Sequence, residues 1–246
     1  MRAFWRYWLH RAQPTRSVAA IHALSGKTES NGPLIIQPMK KSTDLEAALR
    51  PFLPAEALSL ACDKLREHPH HLVITEPRST KLGDFTADPR TGRHVLTVNG
   101  NLNKYAFLIT LMHELAHLVT YVNHRERVKP HGAEWKTCFK QTLGPFLRRN
   151  VFPEEVAKAI AAYLSNPAAS TCGDIHLSKT LARYDKKSHP DIQLLDDIPH
   201  NARFVYGREH RVFIKGERLR TRYRCFEEAT KHEYLFSPLV KIRHVK

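Results

Sequence analysis

Two histidines and a glutamate stand at a spacing that can bind a metal ion and use it. They lie in the run His113-Glu114-Leu115-Ala116-His117. Residues i and i+4 share one face of a helix about one turn apart, so both imidazoles can converge on a tetrahedral metal. Glu114 follows the first histidine, where a carboxylate can serve as general base beside the metal's open position. The pattern predicts a catalytic zinc site with His113 and His117 as ligands and Glu114 as the catalytic residue.

A catalytic zinc ion needs a third protein ligand, and one common spacing is excluded here. The metzincin pattern requires glycine at 120 and histidine at 123, where the chain has Thr120 and Asn123. His124 comes one position later, and its side chain would point about 100° away on a continuing helix. The third ligand is therefore expected beyond this helix.

His131 is the best candidate for that ligand. It lies where a polar loop meets a new helix, and Gly132 beside it permits a close approach of the backbone. A glutamate ligand, at Glu126 or Glu134, is the alternative. We expect one catalytic zinc ion, held by the two motif histidines and His131.

The helix that carries the motif is predicted from Leu102 to Asn123. Apolar residues cover almost every side of it, which is typical of a buried central helix. Its charged residues are Lys104 at the start and Glu114 in the middle. A buried carboxylate is costly unless a cation lies nearby, and a metal ion beside Glu114 would supply one.

Shorter elements flank this helix in the sequence. Thr43 and Glu46 stand at capping-box spacing for one lead-in helix, and Pro54 opens another that runs to about His68. β-type runs follow at 72–75, 82–85 and 94–98, and helices at 132–143 and 154–164. The predicted fold class is α+β: a zincin-like core of helices on a small antiparallel sheet with a central HExxH helix, followed by a small C-terminal β-sheet.

Composition divides the chain into four segments. Residues 1–38 form a basic, aromatic leader with no acidic residue before Glu29, expected to be disordered or not native, with Met39 as the natural start. A transit peptide is the alternative for this leader. We expect the zincin core at 39–165, a linker with a short helix at 166–202, and a basic β-rich subdomain at 203–246.

Positive charge predicts a polyanionic partner. The chain has 39 Lys and Arg against 24 Asp and Glu, and residues 203–246 hold twelve Lys or Arg against five Glu, a net charge of +7. Four arginines of this subdomain alternate in sequence, so on a strand they would line one face. The nucleic-acid-binding residues are predicted to be Arg218, Arg220, Arg222 and Arg224. An ordinary solvated strand face is the alternative.

Cysteine spacing and hydropathy indicate the compartment. Cys62, Cys138, Cys172 and Cys225 lie far apart and form no C-x-x-C pair, which argues against a disulfide framework and favours a reducing compartment. No apolar run is expected to reach the roughly 18 to 20 residues that a membrane span needs. A cytoplasmic location and no membrane partner are therefore expected.

Several motifs together resemble a known family. The runs Arg78–Gly83, Thr97–Asn99, the HExxH motif and His131–Trp135 are similar to the SprT-like domain, which is shared with the DNA-dependent protease Spartan. The resemblance covers roughly 100 to 130 residues. It implies a zincin core, zinc on the residues matching His113, His117 and His131, Glu114 as general base, and proteolysis of proteins on DNA.

The chain departs from many members of this family after the core. Those members carry a four-cysteine zinc ribbon, whereas here only Cys172 and Cys225 lie in the corresponding region, as in shorter bacterial relatives. Structural zinc normally needs four ligands, so these cysteines are expected to be free thiols. A residual metal pair assisted by His176 or His232 is the alternative.

Three functions remain open at this point. The first is a zinc metalloendopeptidase with protein substrates, acting on DNA-associated proteins and binding single-stranded or structured DNA. The second is a DNA-binding or adaptor protein whose zinc site is structural or vestigial. The third is a zinc peptidase without a nucleic-acid link. An intact glutamate beside both histidines favours an enzyme, because a structural site has no use for a buried carboxylate that is not a ligand.

Overall fold

The fold consists of α-helices and two β-sheets in the part of the chain that the structure describes. This structure is a computed structural model and describes residues 34–36, 42–78, 81–88, 90–165, 167, 174–185, 191–207 and 209–245. Its helices are α1 (Ser42–Leu49), α2 (Leu58–Arg66), α3 (Lys104–His124), α4 (Ala133–Arg148), α5 (Glu154–Ser165) and α6 (Ile175–Ala182). The predicted α+β class is confirmed.

The first sheet has four strands. They are β1 (Leu34–Ile36), β2 (His71–Thr75), β3 (Gly83–Asp88) and β4 (Arg93–Asn99), in the order β1-β2-β4-β3. Strands β3 and β4 form an antiparallel hairpin, with Phe85 opposite Leu96. Strand β3 therefore lies at the edge of the sheet.

The prediction that this sheet is antiparallel throughout is wrong for one pair. Strands β2 and β4 run parallel, with Leu72 opposite Leu96 and Ile74 opposite Val98. Arg78 and Lys81, which come between β2 and β3 in the chain, are hydrogen-bonded to Asn99 at the end of β4. Strand β3 pairs with the side of β4 that faces away from β2. Strand β4 follows β3 through the hairpin and runs antiparallel to it, and this brings β4 into the same direction as β2.

Strand β1 lies within the segment that composition assigns to the leader. It pairs antiparallel with β2, with Leu34 opposite Ile74. The sheet thus includes residues upstream of Met39. Residues 1–33 lie outside the described part of the chain.

Helix α3 is the central element of the main core. The Asn103 side chain caps its first turn by accepting a hydrogen bond from the backbone N–H of Ala106 at 3.0 Å. By length and composition α3 could cross a membrane, contrary to the expectation that no segment would reach that threshold. However, 67% of its apolar window is buried inside the fold. Its hydropathy is accounted for by its place in the core, against α4 and the first sheet.

The second sheet forms its own core. Its strands are β5 (Ile192–Leu194), β6 (Arg203–Tyr206), β7 (Arg211–Arg218), β8 (Tyr223–Glu227), β9 (Glu233–Phe236) and β10 (Lys241–Val245), in the antiparallel order β5-β10-β6-β7-β8-β9. Phe204, Phe213 and Phe236 pack together at the centre of this core. Strand β5 lies within the span predicted as a linker, so the sheet begins before residue 203.

The four predicted DNA-binding arginines do not share one strand face. Strand β7 ends at Arg218 and β8 begins at Tyr223, so Arg220 and Arg222 lie in the turn between them. Both are exposed. Arg218 pairs with Asp196 at 3.8 Å, and Arg224 pairs with Glu233 at 3.2 Å. The alternating arginines do not mark one continuous strand, because they span the hairpin turn between β7 and β8.

Candidate metal centre

Three imidazoles meet on one side of helix α3. The Nε2 atom of His117 lies 3.3 Å from Nε2 of His113 and 2.9 Å from Nε2 of His131, and the third distance, between His113 and His131, is 3.2 Å. This is the one group of three or more metal-binding side chains found among the described residues. The structure thus brings together the three predicted ligands.

The dimensions of this triangle suit zinc. Tetrahedral coordination with Zn–N bonds of about 2.0 to 2.1 Å places the ligand nitrogens roughly 3.3 Å apart. Burial lowers the pKa of His113 to about 3 and that of His117 to about 2, and it also lowers the pKa of His131. The rings are therefore neutral at pH 7, as metal ligands must be. Three neutral imidazole nitrogens at these distances are better suited to binding one divalent cation than to hydrogen bonding with one another.

A strained turn returns His131 to the helix. Helix α3 ends at His124, and Arg125 then adopts φ 56° and ψ −142°, a conformation that non-glycine residues rarely take. His131 itself has φ 57°, in the left-handed region. A Cβ atom on the next residue, Gly132, would lie 2.9 Å from the carbonyl oxygen of Lys129. The close approach expected of Gly132 is thus required by the backbone.

Trp135 supports all three ligands. Its ring is fully buried, and its centroid lies 4.6 Å from those of His113 and His131 and 5.1 Å from that of His117. It stacks on Phe139 with a centroid separation of 5.0 Å. The Nδ1 atom of His113 is buried without a hydrogen-bond partner among the described residues. Aromatic packing therefore orients the His113 ring, in place of the acceptor that metal-binding histidines usually have.

Glu114 is a buried carboxyl group beside these ligands. Glu114 is only 7% exposed, and its carboxyl group is not a member of the histidine group. Its pKa is raised to about 8, mainly by burial and also by the negative charge of Asp84, while the positive charges of Lys81 and Arg78 oppose the rise. A metal ion bound by the histidines would act like these positive charges and favour the charged form of the Glu114 carboxyl group. The group is thus a candidate proton carrier.

Strand β3 lies directly against this carboxyl group. A Cβ atom at Gly83 would be 2.6 Å from Oε1 of Glu114 and 2.8 Å from Cγ2 of Thr110. Both distances are shorter than real Cβ contacts, so any larger residue at this position would force these side chains to move. Gly83, the last residue of the run noted in the sequence for its resemblance, therefore lets the edge strand lie against Glu114.

Substitution of Gly83 with alanine is expected to displace the Glu114 side chain. Misplacement by about 1 Å can cost on the order of 100-fold in rate, so we expect a loss of that order in kcat with zinc content unchanged. The matched control is Gly144→Ala in α4, where a Cβ would meet only the end of the Arg148 side chain at 3.4 Å. Equal activity of Gly83→Ala and the parent would show that this contact does not position Glu114.

Asn99 holds the loop that leads to β3, a role that sequence reasoning did not assign. Its side chain is buried and donates from Nδ2 to the carbonyl oxygens of Arg78 at 3.2 Å and Lys81 at 3.0 Å. Its backbone N–H donates to the carbonyl oxygen of Leu82 at 2.8 Å. The available signal was a polar residue at the end of an apolar strand.

The remaining candidates lie outside the histidine group. His124, at the end of α3, and Glu134, in the first turn of α4, are not members of it, and the side chain of Glu126 lies outside the described residues. Cys225 is a buried thiol in the second core, whereas Cys172 falls outside the described part.

The fold and the site together define an α+β protein with a three-histidine centre that can hold a metal ion. Residues 60–156 match the model of the SprT-like family. This match confirms the predicted resemblance to the SprT-like family over residues 60–156. That family is generally associated with zinc metallopeptidase-like proteins. No curated protein and no solved structure matches the chain significantly.

Proposed function

We propose that the chain is a zinc-dependent endopeptidase with a zincin-like core. The observation that carries the proposal is the convergence of three neutral imidazoles beside a buried carboxyl group that is not one of them. His113, His117 and His131 would hold one zinc ion. A structural site would have no need of the carboxyl group, which costs stability where it is buried.

Glu114 is the general base of the proposed reaction. Zinc supplies, when bound, a Lewis acid that polarises a carbonyl group and makes water a nucleophile near neutral pH. Glu114 accepts a proton from the attacking water and delivers it to the leaving amine. Its burial excludes bulk water from this proton transfer, and the absence of a side chain at Gly83 leaves room for the carboxyl group.

The edge strand is the proposed binding site for the substrate backbone. Strand β3 is the last strand of its sheet, and it begins at Gly83 beside Glu114. An extended polypeptide can pair with such an edge through main-chain hydrogen bonds. A scissile bond in a peptide paired there would lie close to the carboxyl group.

DNA is the proposed macromolecular partner, because the chain has a formal net charge of +15. Arg220 and Arg222 are the exposed arginines of the β7–β8 turn, and among the described residues neither has an ion pair. The substrates would then be proteins associated with DNA.

We also propose a cytoplasmic location, since Cys62, Cys138 and Cys225 are buried free thiols.

The double variant Arg220→Ala/Arg222→Ala is expected to weaken DNA binding. Loss of two phosphate contacts should lower the slope of log affinity against log salt by about 1.8 for duplex DNA. Fluorescence anisotropy at several salt concentrations measures this slope. Arg203→Ala is the control, because Arg203 is on the same sheet but is paired with Glu228 at 2.7 Å. An unchanged slope in the double variant would reject the turn as a DNA contact.

Cleavage of a protein substrate titrated with single-stranded and double-stranded DNA tests the whole proposal. A DNA-guided protease should show zinc-dependent cleavage that either form of DNA stimulates and that salt suppresses. Cleavage unaffected by DNA and salt would indicate a zinc peptidase without a nucleic-acid link. Binding of zinc and DNA without any cleavage product would indicate an adaptor protein, and the proposed activity would be wrong.

A further inference from the structure

The loop between α3 and α4 carries three cations directly before the third candidate ligand. Arg125, Arg127 and Lys129 occur within five residues, together with one acidic residue, Glu126, and His131 follows them. All three cations are exposed. Among the described residues none of the three forms an ion pair. Their charges are therefore available to an anion outside the chain.

A tight turn fixes the last of these cations beside the metal centre. The backbone N–H of Gly132 donates to the carbonyl oxygen of Lys129 at 2.9 Å, with Pro130 and His131 between them. Proline at the second position and a positive φ at the third, 57° at His131, are typical of a type II turn. Two residues of chain span at most about 7 Å, so the backbone of Lys129 lies within that distance of the backbone of His131.

The start of the loop is also held next to the metal centre. The guanidinium carbon of Arg125 lies 5.7 Å from the centroid of the Tyr121 ring, a cation–π contact. The backbone N–H of Arg125 donates to the carbonyl oxygen of Tyr121, which lies one helical turn beyond His117 on α3. Both ends of the cationic segment 125–129 are thus attached to residues close to the histidine group.

The exposure of these cations suits the phosphate groups of a nucleic acid better than the side chain of a peptide substrate. A pocket that selects a side chain is concave and buries most of what it binds. Exposed Arg and Lys side chains are instead the usual contacts of a phosphate backbone. The formal net charge of +15 adds a long-range attraction for the same polyanion.

We propose that the segment 125–129 is a phosphate-binding loop that holds DNA beside the metal centre. This inference rests on the proposed function and adds a second DNA contact to that of the β7–β8 turn. A protein attached to the same DNA is then held at a high effective concentration near the three histidines. A zinc ion in this position attracts the bound phosphates, so zinc and DNA each raise the affinity of the chain for the other by the same factor.

The test compares two double variants of the full chain, both in a Glu114→Gln background that prevents cleavage. Arg127→Gln/Lys129→Gln removes two cations of the loop. The control, Arg148→Gln/Arg149→Gln, removes two exposed cations at the far end of α4, whose 16 residues span about 24 Å. We expect the loop variant to lower the slope of log affinity against log salt for a fluorescent single-stranded oligonucleotide by about 1.4, measured by anisotropy. The control should leave the slope unchanged.

Zinc provides a second measurement, which depends on where the DNA lies. Loading the Glu114→Gln parent with zinc should raise its affinity for the same oligonucleotide about twofold at low salt, because a charge of +2 would lie roughly 10 Å from the phosphates. The loop variant should lose this increase while it binds the same amount of zinc per chain. The control variant should keep the increase.

An unchanged salt slope in the loop variant would overturn the proposal. An increase with zinc as large in the loop variant as in the parent would also overturn it, because the DNA would then lie elsewhere. Weaker binding of an acidic peptide with unchanged binding of DNA would assign the loop to substrate selection instead. If the double variant does not fold, Arg127→Gln alone replaces it, with an expected fall in slope of about 0.7. Absence of cleavage by the unmodified chain would reject the peptidase function, whereas these binding measurements would still decide the role of the loop.

Discussion

Replacement of Glu114 with glutamine should abolish proteolysis while the zinc site and the fold remain intact. Glutamine has the shape of the buried side chain but cannot accept a proton, and removal of a general base typically costs about 100- to 10,000-fold. Gel assays of substrate cleavage and measurement of zinc per chain check both parts. Glu134→Gln is the matched control, since that glutamate lies nearby in α4 outside the histidine group. Full residual cleavage by Glu114→Gln would reject the mechanism.

The same variant should also change how stability depends on pH. In the metal-free protein, burial raises the pKa of Glu114 to about 8, so the folded chain keeps a proton that the unfolded chain releases at lower pH. Stability of the metal-free parent therefore falls as pH rises from the ordinary carboxyl pKa towards 8. Glutamine removes this loss, so metal-free Glu114→Gln should melt at a higher temperature than the metal-free parent at pH 8. Parallel melting curves across this pH range would contradict the expectation.

Substitution of His131 is expected to have the second largest effect, loss of the metal. We choose His131→Asn because asparagine tolerates the left-handed backbone that His131 adopts, with φ 57°. Loss of a residue that only supports a metal ligand costs roughly 10- to 100-fold in metal affinity, and loss of a direct ligand should exceed the upper figure. Competition with a chromophoric chelator measures the affinity, and proteolysis should disappear together with the bound zinc.

The control for this substitution is His124→Asn. His124 ends helix α3 and stands outside the group of converging imidazoles, so its replacement should leave zinc affinity unchanged. Zinc affinity of His131→Asn equal to that of the parent would show that another residue is the third ligand. Glu126 and Glu134 are the residues that the sequence offers for that role.

Local patterns predicted the parts of the site that lie on one element. The apolar run from Leu102 to Asn123 gave the position of α3, which the structure places at Lys104–His124. Helical periodicity then fixed His113, Glu114 and His117 on adjacent turns of that helix. The role of His131 was harder to predict from the sequence, because the histidine reaches the motif through a strained turn. Gly132, which follows it, indicated that the backbone could approach closely there.

Features that depend on distant parts of the chain were not predicted. Strands β2 and β4 pair in parallel, and Asn99 bonds to the loop between β2 and β3 across about 20 residues of sequence. Hydrogen bonds between residues so far apart leave no local sequence pattern from which they could be predicted. Trp135 reads as an ordinary core residue until the fold places its ring against three imidazoles. The contact of Gly83 with Glu114 likewise joins two separate elements.

We propose that one zinc ion on three histidines hydrolyses peptide bonds with the help of Glu114. The most direct measurement is cleavage of an unstructured protein by chain stripped of metal and then titrated with zinc, with DNA present and new amino termini identified by mass spectrometry. We predict no cleavage without metal and full recovery at one zinc ion per chain. Cleavage that persists in the metal-free chain, or one tightly bound zinc ion with no new amino terminus, would contradict the account.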